Sequence, residues 1–142
     1  MNDDLLAIIE DLTRLDVVIE HLATVLETPS GMAYQLQMLY TGFEKAAEKC
    51  LKLVNVKIPT TEAYHQKLLN EFFKHFEFRE NEAKMIRNLL AFRHFSRWAY
   101  GQKLIPDRVQ ELRAMALETW PSIKSTLMRH MGIDDNDLFR LS

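Results

Sequence analysis

Long stretches of this chain repeat apolar residues every three or four positions and contain almost no helix breakers. Its 142 residues include only four glycines and four prolines. Spacings of three and four place apolar side chains on one face of an α-helix, and no segment shows the period of two that is typical of a strand. The sequence therefore predicts an all-α fold, a four- to five-helix up-down antiparallel bundle.

Five segments carry this helical pattern, and polar residues, glycine or proline separate them. The predicted helices cover residues 2–27, 32–54, 62–76, 82–100 and 107–131. Thr60 or Thr61 is a candidate N-cap for the third helix, and Asn81 is one for the fourth. Gly101 is a natural C-terminal stop for the fourth helix. The length fits a single domain, residues 1–142, in which residues 132–142 form a flexible polar tail.

Composition and charge exclude several classes of function. The net charge of −2 argues against a general polyanion binder, so contacts with RNA would need a local basic patch. The single cysteine, Cys50, excludes an internal disulfide. The chain has no metal-binding spacing and no glycine-rich phosphate loop, so we expect neither a metal nor another cofactor. An acidic N-terminus and the lack of an apolar run of about 20 residues predict a cytoplasmic protein without a membrane contact.

The predicted fourth helix carries an unusual number of strong hydrogen-bonding groups, in the stretch RNLLAFRHFSRWAYG. Arg87 and His94 are seven residues apart, which places them within about 20° of each other on a helix. Arg93, Arg97 and Tyr100 form a second, overlapping line by steps of four and three. One side of this helix thus presents guanidinium groups beside an imidazole.

Such a strip has a functional interpretation and a simpler one. Arginines bind phosphate oxygens, often with two hydrogen bonds, and a histidine moves protons near neutral pH. A helix with several arginines is, however, more often a solvated face that pairs with some of the 20 acidic residues. His65, early in the third helix, is by itself most simply structural. Spacing alone identifies no substrate.

The motif RNLLAFRH resembles the signature of the HEPN superfamily, in which an arginine and a following polar residue precede a histidine by a short interval. Here Arg87 and Asn88 open the motif, and His94 closes it. The segment from Leu39 to Leu69 also resembles the family, since a helix with tyrosine and glutamate leads through a proline connection to an aromatic–His pair. FRHFSRWAYG is similar to the arginine–histidine–arginine–tyrosine segment of HepT-like proteins.

This resemblance implies a dimeric helical bundle that acts as the toxin of a type II toxin–antitoxin pair. HepT-like toxins are metal-independent ribonucleases, and two copies of the motif meet in the cleft of a homodimer. The antitoxin is a minimal nucleotidyltransferase, which in some pairs AMPylates a tyrosine near the histidine. The resemblance therefore implies RNA as substrate, with no DNA target expected.

The resemblance also implies roles for individual residues. His94 would move protons during attack of the ribose 2′-hydroxyl on phosphorus, and Arg87 would stabilise the charge that develops on the phosphate. Asn88 would position Arg87 or a phosphate oxygen. Arg93 and Arg97 are candidates for substrate binding, and His65 would support the cleft. Tyr100 is the candidate for AMPylation, although the family's usual tyrosine position, two after the histidine, is Ser96 here.

Two alternatives remain open on the sequence. In one, the same fold is a non-catalytic binding partner of a nucleotidyltransferase, and its arginines hold a nucleotide or the acidic surface of that enzyme. In the other, the chain is a structural bundle with an ordinary charged face. Replacement of His94 separates these alternatives from a ribonuclease, because only a ribonuclease would lose activity by orders of magnitude.

Overall fold

The computed structural model describes residues 2–24, 28–98 and 106–141, with the side chains of residues 95–98 and 139–141 outside the description. Within these ranges the chain contains six α-helices and no strand, which confirms the predicted all-α bundle. The helices are α1 (Asp3–Thr24), α2 (Pro29–Leu53), α3 (Tyr64–His75), α4 (Glu80–Trp98), α5 (Pro106–Met131) and α6 (Asp135–Leu141).

The apolar stripes predicted from the sequence form the core of the bundle. Helix α2 lies at its centre and contacts α1, α3, α4 and α5. The ring of Phe72 on α3 packs edge-to-face against Phe43 of α2, with 5.6 Å between centroids, and contacts further rings of Phe73, Phe76 and Phe78. This aromatic cluster holds α3 against α2, and α3 supplies one wall of the site described below.

Helix starts follow side-chain chemistry, but two predicted caps are wrong. Thr28 caps α2 by accepting a hydrogen bond from the backbone N–H of Gly31 at 2.9 Å. Helix α3 starts after Ala63 without a side-chain cap, so neither Thr60 nor Thr61 has that role. Asn81 lies inside α4, which begins two residues earlier than a cap at that position would allow.

The start of α4 is instead fixed by a buried carboxylate. Oε1 of Glu82 accepts a hydrogen bond from the backbone N–H of Arg79 at 2.8 Å, as one half of a capping box. Its Oε2 accepts hydrogen bonds from Ser122 at 2.5 Å and Thr126 at 2.8 Å, both on α5. Glu82 is fully buried. It therefore sets both where α4 begins and how α4 sits on α5.

Helices α1 and α2 approach closely at Gly42. A Cβ atom at this position would lie 2.5 Å from Cδ2 of Leu15, a fully buried side chain on α1. The absence of a side chain at position 42 therefore lets the two helices pack at this distance.

The C-terminal tail contains a helix that the sequence did not predict. Helix α6 packs against α1, and the buried Ile133 and half-buried Leu138 join the core. These two apolar residues lie among polar ones, in a segment too short to show helical periodicity. The flexibility of residues 132–142, and the single-domain division of the whole chain, stay predictions.

Candidate functional site

The N-terminal part of α3 and the C-terminal half of α4 enclose a cleft of about 850 Å³. His65 lines it from α3, and Arg93 and His94 line it from α4. Glu62, two residues before the start of α3, adds one carboxylate. His94 is exposed, whereas His65 and Arg93 are half-buried. The structure thus brings together three of the side chains singled out from the sequence, two imidazoles and a guanidinium.

A chain of polar contacts leads from the core into this cleft. The hydroxyl of Tyr40 on α2 donates to Oε2 of Glu44 at 2.7 Å. Nδ1 of His65 lies 2.6 Å from the same oxygen, and Nε2 of His65 lies 3.4 Å from Nη1 of Arg93. The Glu44 side chain is only 13% exposed, so this network is protected from solvent at its inner end. Three helices therefore hold one histidine at the cleft wall.

Two tyrosine rings confine the imidazole of His65. Tyr40 and Tyr64 lie edge-to-face to it, with centroid distances of 6.5 and 5.6 Å. The hydroxyl of Tyr64 donates to Oε1 of Glu48 at 2.6 Å. Burial, followed by the hydrogen bond to Glu44, raises the pKa of Tyr40 well above its ordinary value. Burial and the hydrogen bond to Glu48 likewise raise the pKa of Tyr64. Both phenols therefore stay protonated and act as donors.

Arg87 lies two turns before His94 on α4, roughly 10 Å along the helix axis, and it is not among the residues that line the cleft. Its Nη2 donates to Oδ1 of Asn70 on α3 at 3.0 Å. Its Cζ lies 5.3 Å from the centroid of the Phe73 ring, within the range of a cation–π contact. These contacts hold the guanidinium against α3, on the same side of the bundle as the cleft.

Of the remaining predicted site residues, only Asn88 has a described side chain. Asn88 is half-buried on α4, next to Arg87. Arg97 belongs to α4, but its side chain lies outside the described part of the structure. Tyr100 and the predicted helix stop at Gly101 also lie outside the described residues. Their predicted roles stay predictions.

Several partners of the predicted site residues were not proposed from the sequence. Glu44 contacts His65 from 21 residues away, and Asn70 contacts Arg87 from 17 residues away. The spacing of Tyr40 and Glu44, four residues on one helix, is a signal that was available. It becomes informative only when α3 is placed beside α2. In the described part of the chain, no three His, Cys, Asp or Glu side chains are grouped to hold a metal ion.

An all-α bundle that carries Arg87, Asn88 and His94 on one helix, beside a cleft with further basic groups, has the architecture of a HEPN protein. The family model described as HepT-like protein matches residues 31–132, which include every side chain of the cleft. The chain belongs to the HepT-like family. No curated protein and no solved structure gives a significant match. None of the described helices has the length and apolar character needed to cross a membrane.

Proposed function

We propose that this protein is the toxin of a type II toxin–antitoxin pair, a cytoplasmic endoribonuclease that cuts RNA without a metal ion. The single observation that carries the proposal is the cleft, in which His94 of the family motif faces the same space as His65 and Arg93. Cleavage of a phosphodiester requires proton transfer and stabilisation of phosphate charge. Imidazole and guanidinium groups supply these two functions. Membership of the HepT-like family supports the same conclusion.

The proposed reaction is attack of the ribose 2′-hydroxyl on the adjacent phosphorus. His94 takes part in proton transfer, and Arg93 and Arg97 bind phosphate oxygens. Arg87 stabilises the charge that develops on the phosphate, with Asn88 as its neighbour. Because Arg87 lies roughly two helical turns from His94, the proposal places the complete site in a homodimer, where the motif of a second copy adds to the cleft.

The proposed partner is a minimal nucleotidyltransferase that acts as antitoxin. Tyr100 is the proposed site of AMPylation, six residues after His94 along the chain. AMPylation would add negative charge and volume to the toxin, and we expect both to hinder the binding of RNA.

A second candidate function has its own supporting observation. Arg87 is already engaged by Asn70 and Phe73 within one subunit. A guanidinium used in this way can hold α4 to α3 without touching a substrate. Under this hypothesis the protein is a non-catalytic binding partner of a nucleotidyltransferase. The cleft then binds a nucleotide or the acidic surface of that enzyme.

The deciding experiment is cleavage of total cellular RNA by purified protein in EDTA, with wild type beside His94→Ala. We expect wild type to release fragments with 2′,3′-cyclic phosphate ends. We expect His94→Ala to be slower by about 10²- to 10⁴-fold, the range for loss of one proton-transfer group. Mass spectrometry of Tyr100 establishes first that the protein is not already AMPylated.

The matched control is His21→Ala, which removes an exposed histidine on α1, a helix that takes no part in the cleft. This variant should cleave like wild type. Equal cleavage by wild type and His94→Ala would contradict the proposed ribonuclease. So would the absence of cleavage by unmodified wild type, and either result would favour the binding partner.

A further inference from the structure

His65 is held in the cleft by a different partner at each ring nitrogen. Nδ1 lies 2.6 Å from a carboxylate oxygen of Glu44, and Nε2 lies 3.4 Å from Nη1 of Arg93. The side chain is 33% exposed, so the ring meets the cleft while its inner edge is covered. A histidine with only a structural role would not need its second nitrogen directed at a space lined by basic groups.

These contacts indicate which nitrogen carries the proton in the neutral ring. A guanidinium only donates hydrogen bonds, so the nitrogen that faces Arg93 must offer a lone pair. The ring proton then lies on Nδ1, where the Glu44 carboxylate accepts it. A carboxylate placed in this way fixes the tautomer and stabilises the imidazolium that forms when Nε2 takes a proton. His65 is therefore arranged as a general base.

We propose that His65 is the general base of RNA cleavage and that His94 is the general acid, an inference that rests on the proposed ribonuclease function. The proton of the 2′-hydroxyl moves to Nε2 of His65 as the 2′-oxygen forms a bond to phosphorus. The bond from phosphorus to the 5′-oxygen breaks, and its electron pair stays on that oxygen, which takes a proton from the His94 imidazolium. The products are a 2′,3′-cyclic phosphate and a 5′-hydroxyl, and proton exchange with water restores both histidines.

Arg93 connects this base to the substrate. In the free protein its guanidinium faces Nε2, and a bound phosphate would compete for the same N–H groups. When Arg93 turns to the phosphate, the lone pair of Nε2 becomes available to the 2′-hydroxyl of the same nucleotide. Glu44 and Tyr40 are positioning residues, since they act on the ring of His65 and not on RNA.

The pH dependence of the reaction will reflect all charged groups around His65. Helix α2 contributes carboxylates and a phenol, and α4 contributes a guanidinium and the second imidazole. Helix α3 contributes a phenol, and the segment just before it contributes a carboxylate. These groups are Tyr40, Glu44, Glu48, Arg93, His94, Tyr64 and Glu62. Because a general base must be unprotonated, the cleavage rate should fall at acidic pH.

The first test is the pH profile of kcat/KM, measured in EDTA on a short RNA that spans a cleavage site mapped in total RNA. His65→Gln should reduce cleavage by about 10²- to 10⁴-fold and abolish the acidic limb of the profile. Glu44→Gln should reduce it by roughly ten- to a hundredfold, as expected for loss of a hydrogen bond to a charged group. The control His75→Gln removes a histidine from the same helix whose Nδ1 instead contacts the backbone carbonyl of Glu71, and it should match wild type.

The second test separates base from acid. In an RNA whose 5′-bridging oxygen is replaced by sulfur, the leaving group departs without a proton. This substrate should restore cleavage by His94→Ala but not by His65→Gln. Restoration of His65→Gln instead would overturn the assignment of His65 as the base.

The third test does not require cleavage. The ¹⁵N chemical shifts of the His65 ring in the RNA-free protein should show a protonated Nδ1 and an unprotonated Nε2 at pH 8. The opposite tautomer would overturn the proposal. If wild type cleaves RNA and His65→Gln cleaves it at the same rate, the proposal that His65 is the general base is rejected. The proposed ribonuclease function would still stand. An inactive, unmodified wild type would reject both proposals.

Discussion

Glu82 stabilises the folded protein although its carboxylate is buried. Burial alone raises the pKa of its carboxyl group, but hydrogen bonds from Ser122, from the Arg79 backbone N–H and from Thr126 outweigh that effect. The net pKa lies below its ordinary value of about 4.3. The folded state therefore favours the ionised form more than the unfolded state does, and this contribution to stability is present above the unfolded pKa.

We predict that Glu82→Gln lowers the free energy of unfolding by about 1–3 kcal/mol at pH 7, because an amide replaces a carboxylate that accepts three hydrogen bonds. As pH falls through the depressed pKa of Glu82, wild type should lose this contribution and approach the variant. Urea unfolding from pH 7 to pH 3 measures both effects.

Glu80→Gln is the matched control for this change, since Glu80 is an exposed carboxylate in the same helical turn. It should shift stability by no more than about 0.5 kcal/mol. A difference between wild type and Glu82→Gln that stayed constant down to pH 3 would show that the charge of Glu82 has no part in it.

At the residue scale, the sequence identified the side chains that lie along one helix better than those that meet across helices. Arg93 and His94 are adjacent in the chain, and the cleft contains both. The partner of His65 could not be chosen in the same way, because 20 acidic residues were available. Only the packing of α2 against α3 selects Glu44.

At the element scale, the ends of helices depend on tertiary contacts as well as on local propensity. Arg113 of α5 illustrates this at the end of α1. Its Nε donates to the backbone carbonyl of Leu22 at 2.7 Å, and its Nη2 donates to that of Ala23 at 3.1 Å. Carbonyl groups in the last turn of a helix lack partners within the helix, so Arg113 acts as a C-terminal cap supplied by another helix.

We predict that Arg113→Ala lowers the free energy of unfolding by about 1–3 kcal/mol, the cost of leaving these carbonyls without a charged donor. Amide hydrogen exchange should accelerate in the last turn of α1. Arg108→Ala, at an exposed position of the same helix, controls for loss of charge and of helix propensity. Equal effects of the two substitutions would mean that the cap contributes nothing.

The two wrong caps have different origins. Thr61 has the right side chain, but its backbone carbonyl accepts the N–H of Tyr64 at 3.0 Å, and this turn delays the start of α3. Asn81 is displaced because Glu82 is anchored by two hydroxyl groups of α5. The first shift thus comes from a local turn, and the second comes from a contact between helices.

At the scale of the whole molecule, the sequence was sufficient for the fold class because long amphipathic helices with few breakers have few ways to bury their apolar faces. The short helix α6 was not predicted, since seven residues carry too little periodic signal. The cleft is a property of the assembled bundle. It depends on α2 to hold His65 and on α5 to hold α4, and no single segment contains that information.

The reactivity of the Cys50 thiol can be used to follow unfolding of the whole bundle. It is the only cysteine in the chain, its side chain is fully buried, and burial together with the nearby Asp11 carboxylate raises its pKa to about 12. The reactive thiolate is therefore nearly absent in the folded protein.

We predict that a disulfide reagent such as DTNB at pH 8 labels the native protein only through unfolding of the core. The labelling rate should increase with urea with the same dependence as global unfolding. A free cysteine-containing peptide gives the rate for an open thiol. Labelling of the native protein at close to that rate, in the absence of urea, would contradict the buried position of Cys50.

The close approach of α1 and α2 at Gly42 has a consequence for how this sequence can diverge. A side chain at position 42 would occupy the space of the Leu15 methyl group. A larger residue at position 42 is therefore tolerated only when position 15 carries a smaller one, although 27 positions separate the two in the chain. Across descendants of this protein, the two sites should be inherited as a pair, and a glycine at one should accompany a large aliphatic residue at the other.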